Sequence, residues 1–76
     1  MNKRQWVALA IGPGAVNYYA GYETLHGWRL LKDRNAKYTM RHATQAGARD
    51  TADLVNVDMA RYPHNYPAGL GRFHPA

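Results

Sequence analysis

The stretch QWVALAIGPGAVNYYAGY, residues 5–22, runs for 18 residues without a charge, and how it is read decides the fold. As a helix it would extend about 27 Å, close to the ~30 Å hydrocarbon thickness of a bilayer. Trp6 stands at one end and Tyr18, Tyr19 and Tyr22 at the other, where an aromatic belt would lie. Gly12-Pro13-Gly14 falls mid-span. Pro13 removes one helical hydrogen bond, and broken helices persist in lipid where neighbouring protein covers the freed backbone groups. The stretch is therefore expected to form a kinked transmembrane helix, packed through Trp6, Gly12, Pro13 and Gly14 against other subunits. A helix starting at Pro13 outside the membrane is the competing reading. Met1-Asn2-Lys3-Arg4 ahead of an apolar run also resembles the front of a secretory signal, here without a small-x-small cleavage site, so an uncleaved anchor is the consistent form.

Composition points the same way. Apolar types make up 46% of the 76 residues, yet 12 are Ala and 6 are Tyr, while Leu, Ile, Val and Phe together number only 12. The formal charge is +5. Few bulky aliphatics and sizeable charge give little with which to offset ordering entropy. There is no Cys to supply a disulfide or thiolate metal site. The expectation is a chain without an independent globular core, borrowing its interior from lipid and larger proteins.

Beyond Tyr22 the chain turns polar and basic. Arg29, Lys32, Arg34, Lys37, Arg41 and Arg49 face only Asp33 over residues 24–49. Thr24 as N-cap, the stripe Leu25, Trp28 and Leu31, an Asp33–Lys37 pair four apart and Gly47 as a stop predict a basic helix over 23–49. Asp50 would cap a second short helix over 50–62, with Leu54, Val55, Met59 and Tyr62 loosely on one face. After Pro63 the sequence predicts an extended tail that docks on a partner through Tyr62, Tyr66 and Phe73. The organisation expected is thus all-α. Residues 1–22 form a membrane-spanning segment, 23–49 a juxtamembrane helix, and 50–76 a short helix with a docking tail.

Residues with catalytic potential are sparse. His26, His42, His64 and His74 show no short-range ligand spacing, and neither Ser nor Cys occurs. Gly12-Pro13-Gly14 and Gly69-Leu70-Gly71 lack the Lys-Ser/Thr of a phosphate loop. Glu23, the only Glu, is placed at the membrane interface. No catalytic, metal or cofactor site is expected, and the chain is read as a non-enzyme.

The basic stretch Arg29–Arg49 admits two partners. Arg29 and Lys32 could meet anionic lipid headgroups as a juxtamembrane collar, with Lys3 and Arg4 doing so from the other side. Alternatively, the six cations with Tyr38 and nearby histidines could track a phosphate backbone, as in a small basic RNA-binding protein of an organellar ribosome.

Trp6-Val7, the Pro13-Gly14 interruption, Tyr18-Tyr19 and Arg34-Asn35 followed by Arg41 carry a resemblance over residues 5–42. There the chain resembles the small single-span accessory subunits of mitochondrial respiratory complex I, of the MNLL-like type. The resemblance implies a non-catalytic structural and assembly role in the inner membrane, with other subunits and lipids as partners and no nucleic acid. The organellar RNA-binding protein is the alternative expectation.

Overall fold

The computed structural model describes residues 5–76. Its apolar run is not a helix. Val7, Leu9 and Ile11 alternate with Ala8 and Ala10, a period of two that places the larger residues on one face and the alanines on the other. Strand β1 covers Ala8–Ile11 and β2 covers Asn17–Thr24. Between them Pro13–Ala15 makes a single 3-10 turn, closed by the Gly12 N–H donating to the Val16 carbonyl at 2.8 Å. The Gly-Pro-Gly expected to kink a helix is the connection of a β-hairpin.

Strand β3, Gly27–Leu31, returns along β2. Its turn needs Gly27, whose φ of 109° lies in the region open to glycine. Thr24 caps no helix. Its Oγ1 accepts from the His26 N–H at 3.2 Å and donates to the Gly27 carbonyl at 2.8 Å, a local hydroxyl turn. Helix α1, Gln45–Arg61, follows a connecting segment, and β4, His74–Pro75, closes the chain. All pairings are antiparallel, and the strand order is β3-β2-β1-β4.

The connecting segment 38–42 inserts where β1 and β2 diverge. Met40 N–H donates to the Ala20 carbonyl and Tyr22 N–H to the Tyr38 carbonyl, while Trp6 and His42 exchange both backbone bonds at 2.7 Å. Opposite it, β2 bulges: Gly21 and Tyr22 together oppose Arg29, between the pairs Ala20–Leu30 and Glu23–Trp28.

Helix α1 begins at Thr44, whose Oγ1 accepts from the Gly47 N–H at 3.1 Å, and not at Asp50. Gly47 therefore sits in the first turn and stops nothing. Ala52 and Val55 of α1 pack on Ala8, Ala10 and Ala20 of the sheet together with Tyr66 and Phe73, and Trp28, Leu30, Met59 and Leu70 fill the margins. The alanines are what bring the helix close: with no bulk on that sheet face, two tyrosine- and phenylalanine-bearing loops can complete the core. Asn56, buried on α1, pairs with the Phe73 backbone as a strand would. Its Nδ2 donates to the carbonyl at 2.9 Å, and the Phe73 N–H donates to its Oδ1 at 2.7 Å.

The all-α expectation is thus overturned. The molecule is a four-stranded antiparallel sheet covered on one face by one helix. No helix among the described residues is long and apolar enough to cross a membrane, so the transmembrane-helix reading falls with it. The absence of an independent core is also corrected: the radius of gyration is 11.7 Å, against about 11.4 Å for a compact chain of this length. Counting bulky aliphatics undervalued alanine in the sheet and the aromatics Trp28, Tyr66 and Phe73. Lys3 and Arg4 lie outside the described residues.

Candidate nucleic-acid interface

The sheet face turned away from α1 is built by strict alternation. Trp28 and Leu30 face the helix, so Arg29 and Leu31 face the other way. Register aligns His74, Leu9, Tyr19 and Leu31 as one cross-strand row over all four strands, with Ile11 and Asn17 as the next pair. Among the described residues no helix covers this face: Leu9, Tyr19 and Leu31 are half-buried and Ile11 is 50% exposed.

At the bulge this surface becomes aromatic and basic. Tyr22 and Tyr38 are 55% and 41% exposed and meet edge to face, with centroids 6.3 Å apart and planes at 85°. The Arg29 guanidinium carbon lies 4.4 Å from the Tyr38 centroid and the Lys37 ammonium 5.6 Å from it. The bulge causes this grouping, because the extra residue on β2 turns Tyr22 toward Arg29. Gly21 permits it: a Cβ there would stand 2.7 Å from the Tyr38 carbonyl oxygen and 2.8 Å from Leu31 Cδ1. The Lys32 ammonium sits 5.7 Å from the Tyr18 ring centroid, but Tyr18 pairs with core-facing Ala10, so this contact lies on the α1 side of the sheet and apart from the group at the bulge.

The cations divide into two kinds. Arg34 and Arg41 hold the connecting segment: Arg34 Nη2 donates to the carbonyls of Gln5 and Ala76, and Arg41 Nη1 to those of Arg34 and Ala36. Arg29, Lys32 and Lys37 rest on tyrosine rings at the surface. Residues 29–41 carry five cations against Asp33 alone, whereas Asp50, Asp53 and Asp58 all lie on α1, behind the sheet. Helix α1 also carries Arg49 and Arg61 and is mixed in charge, whereas residues 29–41 are strongly cationic.

The residues singled out from the sequence are dispersed. Trp6 lies beside His42 in the short bridge. Gly12 lies against Tyr18, and Pro13 and Gly14 form the hairpin turn. Arg29 falls on the aromatic-basic face, and Lys32 falls on the α1 side of the sheet beside Tyr18. Tyr62 is exposed at the C-cap of α1, while Tyr66 and Phe73 are buried in the chain's own core. Asp33 and Lys37 do not share a helix; Asp33 Oδ1 accepts from the Asn35 N–H in a turn. Sequence reading did not bring Tyr22, Tyr19 or Leu31 to the basic side, although the period of two in residues 7–11 and the tyrosines of β2 carried the signal.

A hollow of about 450 Å³ lies between the β2–β3 turn and the end of α1, lined by Glu23, Thr24, His26, Asp58, Tyr62 and Asn65. Asp58 there accepts from the Tyr66 hydroxyl at 2.7 Å. Burial, with help from this bond and the carboxylate charge, holds the Tyr66 phenol well above its ordinary value of 10.0. Among the described residues no group of three acidic or histidine side chains is placed to hold a metal ion.

No family model matches the sequence, and no curated protein or solved structure is significantly similar to it.

Proposed function

We propose that this protein binds single-stranded nucleic acid on the sheet face opposite α1. One observation carries the reading: exposed Tyr22 and Tyr38 are grouped with Arg29 and Lys37 on a surface that no helix among the described residues covers. Unpaired bases stack on aromatic rings and guanidinium planes regardless of their identity, and flanking cations neutralise the backbone phosphates. The half-buried row Leu9, Tyr19 and Leu31 offers apolar surface on which a base can lie flat. Asp33 is the one acidic residue among the five cations of residues 29–41, so that stretch carries no concentration of repelling charge.

Fluorescence anisotropy with a labelled oligonucleotide of about 12 nucleotides tests this. Binding weakens as salt rises, with a log–log slope of about −1.4 for the two phosphates that Arg29 and Lys37 neutralise. Tyr38→Ala lowers affinity by about tenfold or more at fixed salt, and Arg29→Ala makes the slope shallower by about 0.7. Absence of binding at low salt, or binding indifferent to Tyr22→Ala and Tyr38→Ala, refutes the proposal.

A further inference from the structure

Helix α1 has a second face. Its buried residues Ala48, Thr51, Ala52, Val55 and Asn56 define one side. At 100° per residue, Asp50, Leu54, Val57 and Arg61 fall together on the opposite side. All four are exposed, Leu54 by 60% and Val57 by 57%. Two large aliphatics at the midpoint of a helix, pointing away from the core, gain nothing from the fold of their own chain.

The stripe is self-complementary. Its order is acid, Leu, Val, base, with Asp50 and Arg61 placed symmetrically about the Leu54–Val57 midpoint. Along the axis Asp50 and Arg61 stand about 16 Å apart, too far to pair with each other. Turned end for end, a second copy of the helix sets Leu54 against Val57 twice at the centre. The same rotation sets Asp50 against Arg61 twice at the rims. Asp53 and Asp58 diverge to opposite flanks of the helix and do not face each other in this arrangement. A two-fold interface must be complementary to itself in this way, residue i meeting j and j meeting i.

We infer that α1 is a homodimer interface, two copies packing antiparallel through Leu54 and Val57 with reciprocal Asp50–Arg61 ion pairs. The contact lies on the side of the molecule away from the aromatic-basic sheet face and stands whether or not that face binds nucleic acid. In the dimer the two sheet faces point outward.

Sedimentation equilibrium on the full chain tests it, with circular dichroism checking that each variant keeps the wild-type fold. The wild type is expected to shift from monomer to dimer as concentration rises toward about 1 mM. Leu54→Lys, which alters only a solvent-facing side chain, abolishes the shift. Asp50→Arg alone and Arg61→Asp alone each set like charges together at both rims and weaken dimerisation by about tenfold. An equimolar mixture of these two variants restores opposite charges at both rims and regains the wild-type dimer. A wild type that stays monomeric throughout overturns the inference. So do single charge reversals without effect, or a mixture no better than its components.

Discussion

Asn56 shows how one side chain substitutes for missing regular structure. Its amide donates to and accepts from the Phe73 backbone, so the chain after the second 3-10 turn (Pro63–Asn65) is held to α1 without a strand. Asn56→Ala leaves a buried N–H and carbonyl without partners. It should destabilise the protein by about 2–4 kcal/mol, read from urea denaturation. A loss below about 0.5 kcal/mol would mean water or another group replaces the amide. Tyr66 has a different signature. Its folded phenol holds a proton that the unfolded chain gives up near its ordinary 10.0. The stability it contributes is therefore complete below about pH 10 and is lost as pH rises toward the elevated folded value. Tyr66→Phe should cost about 1–2 kcal/mol at neutral pH. The gap between variant and wild type should then narrow above about pH 10. Urea midpoints measured across that range check both the size and the sign.

At the level of elements, the decisive feature is the bulge in β2 and the segment 38–42 laid beside it. Gly21 sits where backbone approaches backbone, so Gly21→Ala must displace either Tyr38 or Leu31. The expected cost is about 1–3 kcal/mol, with weakened oligonucleotide binding, because Tyr38 moves away from Tyr22 and Arg29. Loss of stability with binding intact would detach the bulge from the interface. Some of this was legible in the sequence. The concentration of cations over 29–41 beside Tyr38 is present in the structure, whereas Leu54, expected on one face with Val55 and Met59, is 60% exposed and turned away from buried Val55. The hairpin was not legible, because an uncharged run of 18 residues satisfies a membrane criterion by length while its alternation extends only over residues 7–11. Gly-Pro-Gly serves a kink and a turn equally well; only pairing between strands distinguishes them. Asn56–Phe73 and the Trp6–His42 bridge join residues far apart in sequence, and no local pattern encodes them.

For the whole molecule, a small chain obtains two distinct sides from two layers. The helix layer carries Asp50, Asp53 and Asp58 with Arg49 and Arg61 and the self-complementary stripe, and the opposite side carries Tyr22 and Tyr38 with Arg29 and Lys37. Alanine makes this division workable at 76 residues, since three small side chains on the sheet let one helix and two aromatic loops share the core. The grouping of rings and cations depends on the bulge in β2, its register with β3 and the segment 38–42 laid beside it. Backbone amide shifts of the isotope-labelled protein, followed during titration with a short single-stranded oligonucleotide at low salt, test that grouping most directly. The changes should concentrate at Leu9, Tyr19, Tyr22, Arg29, Leu31 and Tyr38 and leave the outer residues Asp50, Leu54 and Val57 unmoved. Shifts centred on α1, or none at all, would contradict the account.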